Sequence, residues 1–262
     1  MPDNEFNKDT LEKISVIIIV KNEESLLDDA LKSVSWADEI IIVDSGSSDN
    51  TINIAEKYTK RIFVHKWEGF ADQKRYALNL TSNDWIINID ADERISENLK
   101  KEINELDFSK ADGFKITRKN FLLNRHITTC GWDNDYQLRL FRRSKVSVTE
   151  RLVHEGFEIN GRTEKLKSPL IHLTFISIEK IVSKINKYSS LEAQEKFKNT
   201  KRVRIHTIIL HALSAFLKDF VSLKGYKDGI YGFVVSLFSG ITSLLVYIKI
   251  WELQNSPDKD IK

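Results

Sequence analysis

The chain predicts an α/β fold: a parallel sheet with helices on both faces, then a mixed-sheet half, then a helical tail. Three observations carry this. Short apolar runs rich in β-branched residues alternate with helix-period segments through four strands before residue 91. From Gly113 onward, extended segments are separated by polar stretches instead of helices. From Ile178 the chain turns helical and then strongly apolar. The 262 residues, 41% of them hydrophobic, suffice for one large α/β domain with an appendage.

The elements follow in order. Ile14 to Val20 is a continuous apolar run, the signature of a strand buried on both faces. Leu26, Leu27, Ala30, Leu31 and Val34 then fall at helical spacing, and Glu39 to Val43 is again apolar and β-branched. A helix is expected over Thr51 to Lys60, a strand over Arg61 to His65, a helix over Ala71 to Leu80 and a strand over Trp85 to Ile89. Further extended segments are expected at Phe114 to Thr117, Gln137 to Arg142 and Leu170 to Phe175, before a helix from Ile178 to about Phe197. Ser48 and Asp49 are candidate caps for the helix at Thr51, and Ser96 opens a helix after the strand at Trp85 to Ile89.

Ligands of such sheets bind beyond the carboxyl ends of the strands. Those ends read Lys21-Asn22-Glu23-Glu24, Asp44-Ser45-Gly46-Ser47-Ser48-Asp49-Asn50-Thr51 and Asp90-Ala91-Asp92-Glu93. Asp44 directly follows an Ile-Ile-Val strand, which suits its carboxylate to accepting hydrogen bonds from a base or ribose. Asp90 and Asp92 flank one small residue, and two such carboxylates call for compensation by a hard cation, Mg²⁺ or Mn²⁺, shared with phosphate oxygens. A solvated acidic turn is the plainer alternative. No glycine-rich turn follows the first strand, which argues against a nicotinamide oxidoreductase.

Together these motifs resemble the family 2 glycosyltransferases, over about the first 175 residues. The resemblance implies the GT-A nucleotide-sugar fold, a Rossmann-like mixed sheet flanked by helices. It places Asp44 and Glu23 at the nucleotide, and Asp90 and Asp92 at the metal and diphosphate. The stretch Trp67 to Leu78 narrows the resemblance to the lipopolysaccharide-core β-glucosyltransferase branch. There Gln73 and Lys74 are expected on a helix face lining the crevice, where a lysine offsets diphosphate charge; a solvated helix face is the alternative.

An inverting transfer needs a base near the acceptor hydroxyl, opposite the leaving group. Glu155, in Arg151-Leu152-Val153-His154-Glu155, is the candidate, in a pattern that also resembles this branch; many relatives carry a Glu-Asp pair there instead. Asp133 and Asp135 are the fallback. His154 is expected to orient Glu155 or touch phosphate. His172 interrupts an apolar strand and, as in related enzymes, is a candidate metal ligand, with a satisfied core histidine as the alternative. Arg139 and Arg142 lie three apart on a strand, so at most one faces the site.

Forty basic and 38 acidic side chains nearly cancel, giving no reason to expect nucleic acid as a partner. A single cysteine excludes an intramolecular disulfide, and the polar start lacks a secretory signal's apolar stretch; a cytoplasmic address is expected. Five basic residues between Lys196 and Arg204 precede an amphipathic segment, Ile205 to Leu223, and Gly229 to Ile248 is uncharged. These features fit attachment to an anionic membrane surface.

The expected organisation is a polar segment 1–12, a catalytic domain 13–176, a helical membrane-associating region 177–254 and a polar tail 255–262. The expected activity is transfer from a nucleoside diphosphate sugar, with a uridine donor carrying a hexose, to a lipopolysaccharide-core or other glycolipid or glycan acceptor. The expected location is the inner face of the cell membrane, peripheral or monotopic, with a homo-oligomer possible. The competing reading is a non-catalytic membrane scaffold that retains the sheet.

Overall fold

A computed structural model describes residues 12–133, 135–149, 156–175 and 177–256. Two compact units emerge. The first comprises residues up to Thr117 with Tyr136–Thr149 and Gly156–Ile171; the second comprises Arg118–Asp135 and the chain from His172.

The first unit opens with β1 (Ile14–Val20), α1 (Leu27–Val34) and β2 (Glu39–Asp44). All but one residue of β1 are buried, as its unbroken apolar run requires, and α1 buries Leu27, Ala30, Leu31 and Val34 on one face. Each large apolar side chain so buried contributes roughly 1.5–3 kcal/mol. The next helix, α2, covers only Thr51–Ala55, shorter than its apolar pattern suggests. Its Thr, Asn and two Ile are weak helix formers. Beyond it Lys57 and Tyr58 bond back three residues, and the Thr59 hydroxyl donates to the Ile40 carbonyl at 2.8 Å, turning the chain into β3 (Ile62–Val64). There follow α3 (Phe70–Leu80), β4 (Trp85–Asp90), β5 (Glu93–Ile95), α4 (Glu97–Asn104) and β6 (Gly113–Leu122). Ser96 caps α4, its hydroxyl accepting from the Leu99 N–H at 3.3 Å. The remaining strands are β7 (Arg125–His126), β8 (Tyr136–Arg142), β9 (Val146–Val148), β10 (Phe157–Ile159), β11 (Thr163–Lys165) and β12 (Leu170–Phe175).

The main sheet runs β3-β2-β1-β4-β8-β6-β12-β5. Its first four strands are mutually parallel, and β8 lies antiparallel to both β4 and β6, so the sheet is mixed. One face packs around Val16, Ile18, Leu31 and Trp85, the other around Ile17, Ile41, Ala77 and Phe141. The chain reverses strand order between β2 and β4 on either side of β1, a topological switch point.

The second unit contains the β6–β7 hairpin, whose turn residues Leu123 and Asn124 both take positive φ, and three helices: α5 (Ile178–Phe197), α6 (Ile205–Leu217) and α7 (Ile230–Asn255). Leu122, Ile127, Cys130, Ile181 and Val235 form one core cluster; Ala193, Val203, Val246 and Ile250 form another. The apolar stripe expected on the amphipathic segment divides. Ile208 joins the second cluster, and Phe216 and Phe220 pack on Phe233 of α7. By contrast Ile205, Ile209, Leu213, Leu217 and Val221, spaced by four, remain between 48% and 75% exposed. Both Ile205–Ser222 and Ile230–Asn255 are long and apolar enough to cross a membrane.

Candidate active site

Strand register sets the first distances. Val20 of β1 pairs with Asp44, and Ile19 with Asp90, so both aspartates end their strands at the same sheet edge with β1 between them. Two strand spacings separate them, about 10 Å.

The loops after β1 and β2 are laced together. The Asn22 N–H donates to Ser47 Oγ and the Ser48 N–H to Asn22 Oδ1, each at 2.8 Å. The Glu23 N–H donates to Thr51 Oγ1 at 2.8 Å, and the Asn50 N–H to Glu24 Oε2 at 3.0 Å. Asn22 takes a positive φ of 56°, which asparagine tolerates better than most residues. Asp44 is buried at the base of this loop. Its carboxylate accepts from the Gly46 N–H at 2.9 Å, the Ser47 N–H at 3.0 Å and Ser47 Oγ at 2.5 Å. It thus organises the loop. The cap expected from Ser48 or Asp49 is partly met: Asn50 occupies the N-cap without a side-chain capping bond, while Asp49 Oδ1 accepts from the Thr51 N–H at 3.0 Å. Burial raises the Asp49 carboxyl's pKa, and the bonds from Thr51 and Glu24 outweigh it, leaving a net lowering.

The acidic turn is held by two arginines. Asp90 has a half-exposed side chain, while Glu93 is fully buried. The Asp90 N–H donates to Glu93 Oε2 at 3.0 Å, closing the turn. Arg139 on β8, itself buried, donates through Nη2 to Asp90 Oδ2 at 2.8 Å and to Glu93 Oε1 at 2.5 Å. Burial alone would lower its pKa; Glu93 and Asp90 outweigh it and raise it. Arg94 donates to the carbonyls of Ala91 and Glu93 at 2.7 and 2.8 Å, and to that of Leu26 at 2.5 Å, tying the turn's main chain to the β1 loop. Arg142 instead stacks over Trp85 and pairs with Asp84, so of the two strand arginines only Arg139 meets the acidic turn.

Gln73 departs from its expected place on an open crevice face. It is fully buried, and its amide donates to the carbonyls of His65 and Lys66 at 3.1 and 2.9 Å, because α3 turns this residue toward the sheet. Lys74 lies over the Phe157 ring at 5.4 Å. In the second unit His172 is buried, with Nδ1 2.7 Å from Asn120 Oδ1. Since the Asn120 amide donates to the Trp132 carbonyl at 2.8 Å, its oxygen faces His172. Asp135 pairs with Arg118 through Nε at 2.7 Å, which disfavours it as a base, and Asp133 is exposed. Glu155 and His154 lie outside the described residues.

Among the described residues no three His, Cys, Asp or Glu side chains gather as a complete metal cage. The half-exposed Asp90 with Asp92 two residues on suits the other kind of site, where one or two carboxylates share the cation with substrate phosphates.

The Glycosyl transferase family 2 model matches residues 15–154, spanning all three loops described above. The chain belongs to that family. This family 2 enzyme is 30% identical over 248 residues to the lipopolysaccharide core biosynthesis glycosyltransferase LpsC of Rhizobium meliloti, covering 91% of this chain and 92% of that protein. It is 31% identical over 267 residues to an uncharacterized glycosyltransferase of Rickettsia conorii, covering 94% and 93%. Among solved structures, Staphylococcus aureus TarS in complex with UDP-GlcNAc matches with a TM-score of 0.50 at 15% identity, over 94% of this chain and 92% of that one. The family 2 enzyme is thus a nucleotide-sugar glycosyltransferase with a GT-A fold.

Proposed function

We propose that this family 2 enzyme transfers a hexose from a uridine diphosphate donor, with inversion, to a lipopolysaccharide-core or related glycolipid acceptor at the inner membrane surface. The observation that carries the reading is the placement of the Asp44 loop and the Asp90–Asp92 turn at one sheet edge, about 10 Å apart across β1. That span suits a nucleoside at one end and its diphosphate at the other. Asp44 and Glu23 serve the nucleoside; Asp90 and Asp92 would hold Mg²⁺ or Mn²⁺, whose chemistry when bound is to offset charge on the departing diphosphate. Lys74 adds a point cation, and Gln73 supports the site through the main chain it anchors. The catalytic domain is proposed as residues 13–176.

Glu155 is the proposed base, with His154 orienting it. It takes the proton from the acceptor hydroxyl as that oxygen bonds to the anomeric carbon. The anomeric carbon–diphosphate bond breaks, and the nucleoside diphosphate leaves with its electron pair. The acceptor assignment draws on the relative LpsC and on the uncovered apolar ridge of α6 beside a basic lead-in, which suits a lipid surface.

The test is transfer from radiolabelled UDP-hexoses to a lipopolysaccharide-core glycolipid, with the anomeric configuration of the product read by NMR. An inverted product, lost in Glu155→Gln while UDP binding persists, is expected. Full turnover by Glu155→Gln moves the base to Asp133 or Asp135, and no transfer from any donor favours the scaffold reading.

A further inference from the structure

Arg139 stands apart from the residues usually sought at a sugar-transfer site: it is an arginine of the antiparallel strand beside the acidic turn. Its side chain is only 9% exposed, and its Nε–H is without a partner among the described residues. Here the guanidinium is placed so that one nitrogen, Nη2, reaches two carboxylates of different kinds. Glu93 is wholly buried and has no outlet to solvent; Asp90 is half exposed and faces outward. The first anchors the guanidinium and the second is held by it.

The electrostatics point the same way. Asp90, Asp92 and Glu93 put three carboxylates within four residues. Arg94 donates to main-chain carbonyls, and Arg139 meets the Asp90 and Glu93 carboxylates directly. β8 pairs with β4 through Ile87↔Leu140, so the guanidinium is borne by the strand next to the one that carries Asp90. Both Asp90 and Arg139 belong to strands of the main sheet.

We propose that Arg139 is a positioning residue: anchored by Glu93, it fixes the Asp90 carboxylate in the orientation that receives the cation and diphosphate. The proposal rests on the reading of Asp90 and Asp92 as the cation-holding pair. Lysine at this position keeps a positive charge for Glu93, but its compact ammonium on a flexible stem lacks the rigid guanidinium plane that holds Nη2 against both carboxylates. Groups that orient a metal's carboxylate ligands typically change metal affinity by about 10–100-fold when removed.

The test is Mn²⁺ titration in the presence of UDP, followed by electron paramagnetic resonance, on wild type, Arg139→Lys, Arg139→Gln and the double variant Arg139→Gln/Glu93→Gln, with thermal unfolding of each. Titrations run well below each variant's own melting temperature. Arg139→Lys is expected to stay folded and to bind Mn²⁺ at least about tenfold more weakly. The double variant removes both buried charges together, and is expected to regain thermal stability relative to Arg139→Gln alone without regaining Mn²⁺ affinity. Wild-type Mn²⁺ affinity in folded Arg139→Lys overturns the proposal, as does recovery of affinity along with stability in the double variant. If the double variant fails to fold, the Arg139→Lys titration decides alone. A wild type that binds no Mn²⁺ overturns the reading of the acidic turn itself, a failure distinct from normal binding by both proteins.

Discussion

Asp44 illustrates how a residue placed by its strand acquires a second task from its loop. Its position after three apolar residues marks it as a strand-end carboxylate, yet nothing in a linear pattern announces that it also accepts from the Gly46 and Ser47 N–H groups. Replacing it with alanine strips partners from two loop amides, a loss of about 1–3 kcal/mol where such groups are left unpaired. Asp44→Ala is therefore expected to lower the melting temperature and to weaken UDP binding together, measured by calorimetry; unchanged UDP affinity would separate the residue from the nucleotide. Asp90 and Asp92 were equally legible, because a strand end fixes where a carboxylate lies. Glu93 and Arg94 were not, since their roles depend on side chains turning back to a strand and to carbonyls distant in sequence. Gln73 was misplaced for a related reason: helical spacing gives a face, not what covers it.

Among the elements, the parallel strands were readable because burial on both faces leaves an unbroken apolar run, whereas α2 was overestimated because its pattern does not record the turn that ends it. In the helical region, packing depends on glycines. A Cβ at Gly232 would lie 1.8 Å from the Gly225 carbonyl oxygen, whereas one at Gly240 would meet its nearest atom, the Ala212 carbonyl oxygen, at 3.2 Å. Gly232→Ala is expected to cost at least about 1–3 kcal/mol by overpacking and Gly240→Ala clearly less, as chemical denaturation will measure. Two carboxylates tie first-unit elements to their loops. Burial raises the pKa of Glu102, and the Lys167 and Ser168 N–H groups outweigh it; burial likewise raises that of Asp84, and Ser144 and Arg142 outweigh it. Both are depressed in the folded state, so their stabilisation is present above the unfolded carboxylate pKa of about 4 and is lost as pH falls through the lower folded values. Melting temperature scanned from about pH 7 to about pH 2 should fall at the acid end, and Glu102→Gln/Asp84→Asn should flatten that limb; an unchanged acid limb would contradict the assignment.

For the whole molecule, the family was visible in three loops because the GT-A chemistry concentrates at strand ends, and the proposed base Glu155 lies outside the described residues. The tail's amphipathic character was legible, but only packing reveals that half of its apolar stripe turns inward and the ridge Ile205–Ile209–Leu213–Leu217 stays uncovered. Ile209→Glu/Leu213→Glu, at two such positions, should keep the fold and release the enzyme from vesicles rich in anionic lipid, as flotation will measure. Retention of the variant on vesicles would place attachment elsewhere.

The central claim is that the sheet edge between Asp44 and Asp92 binds a nucleotide sugar through a divalent cation. Calorimetric titration with a panel of nucleoside diphosphate sugars, with and without Mn²⁺, on wild type and Asp92→Asn tests it most directly. Binding of a uridine diphosphate sugar that requires Mn²⁺ and disappears in a folded Asp92→Asn is the predicted result. Equal binding without the metal, or by the variant, would contradict it.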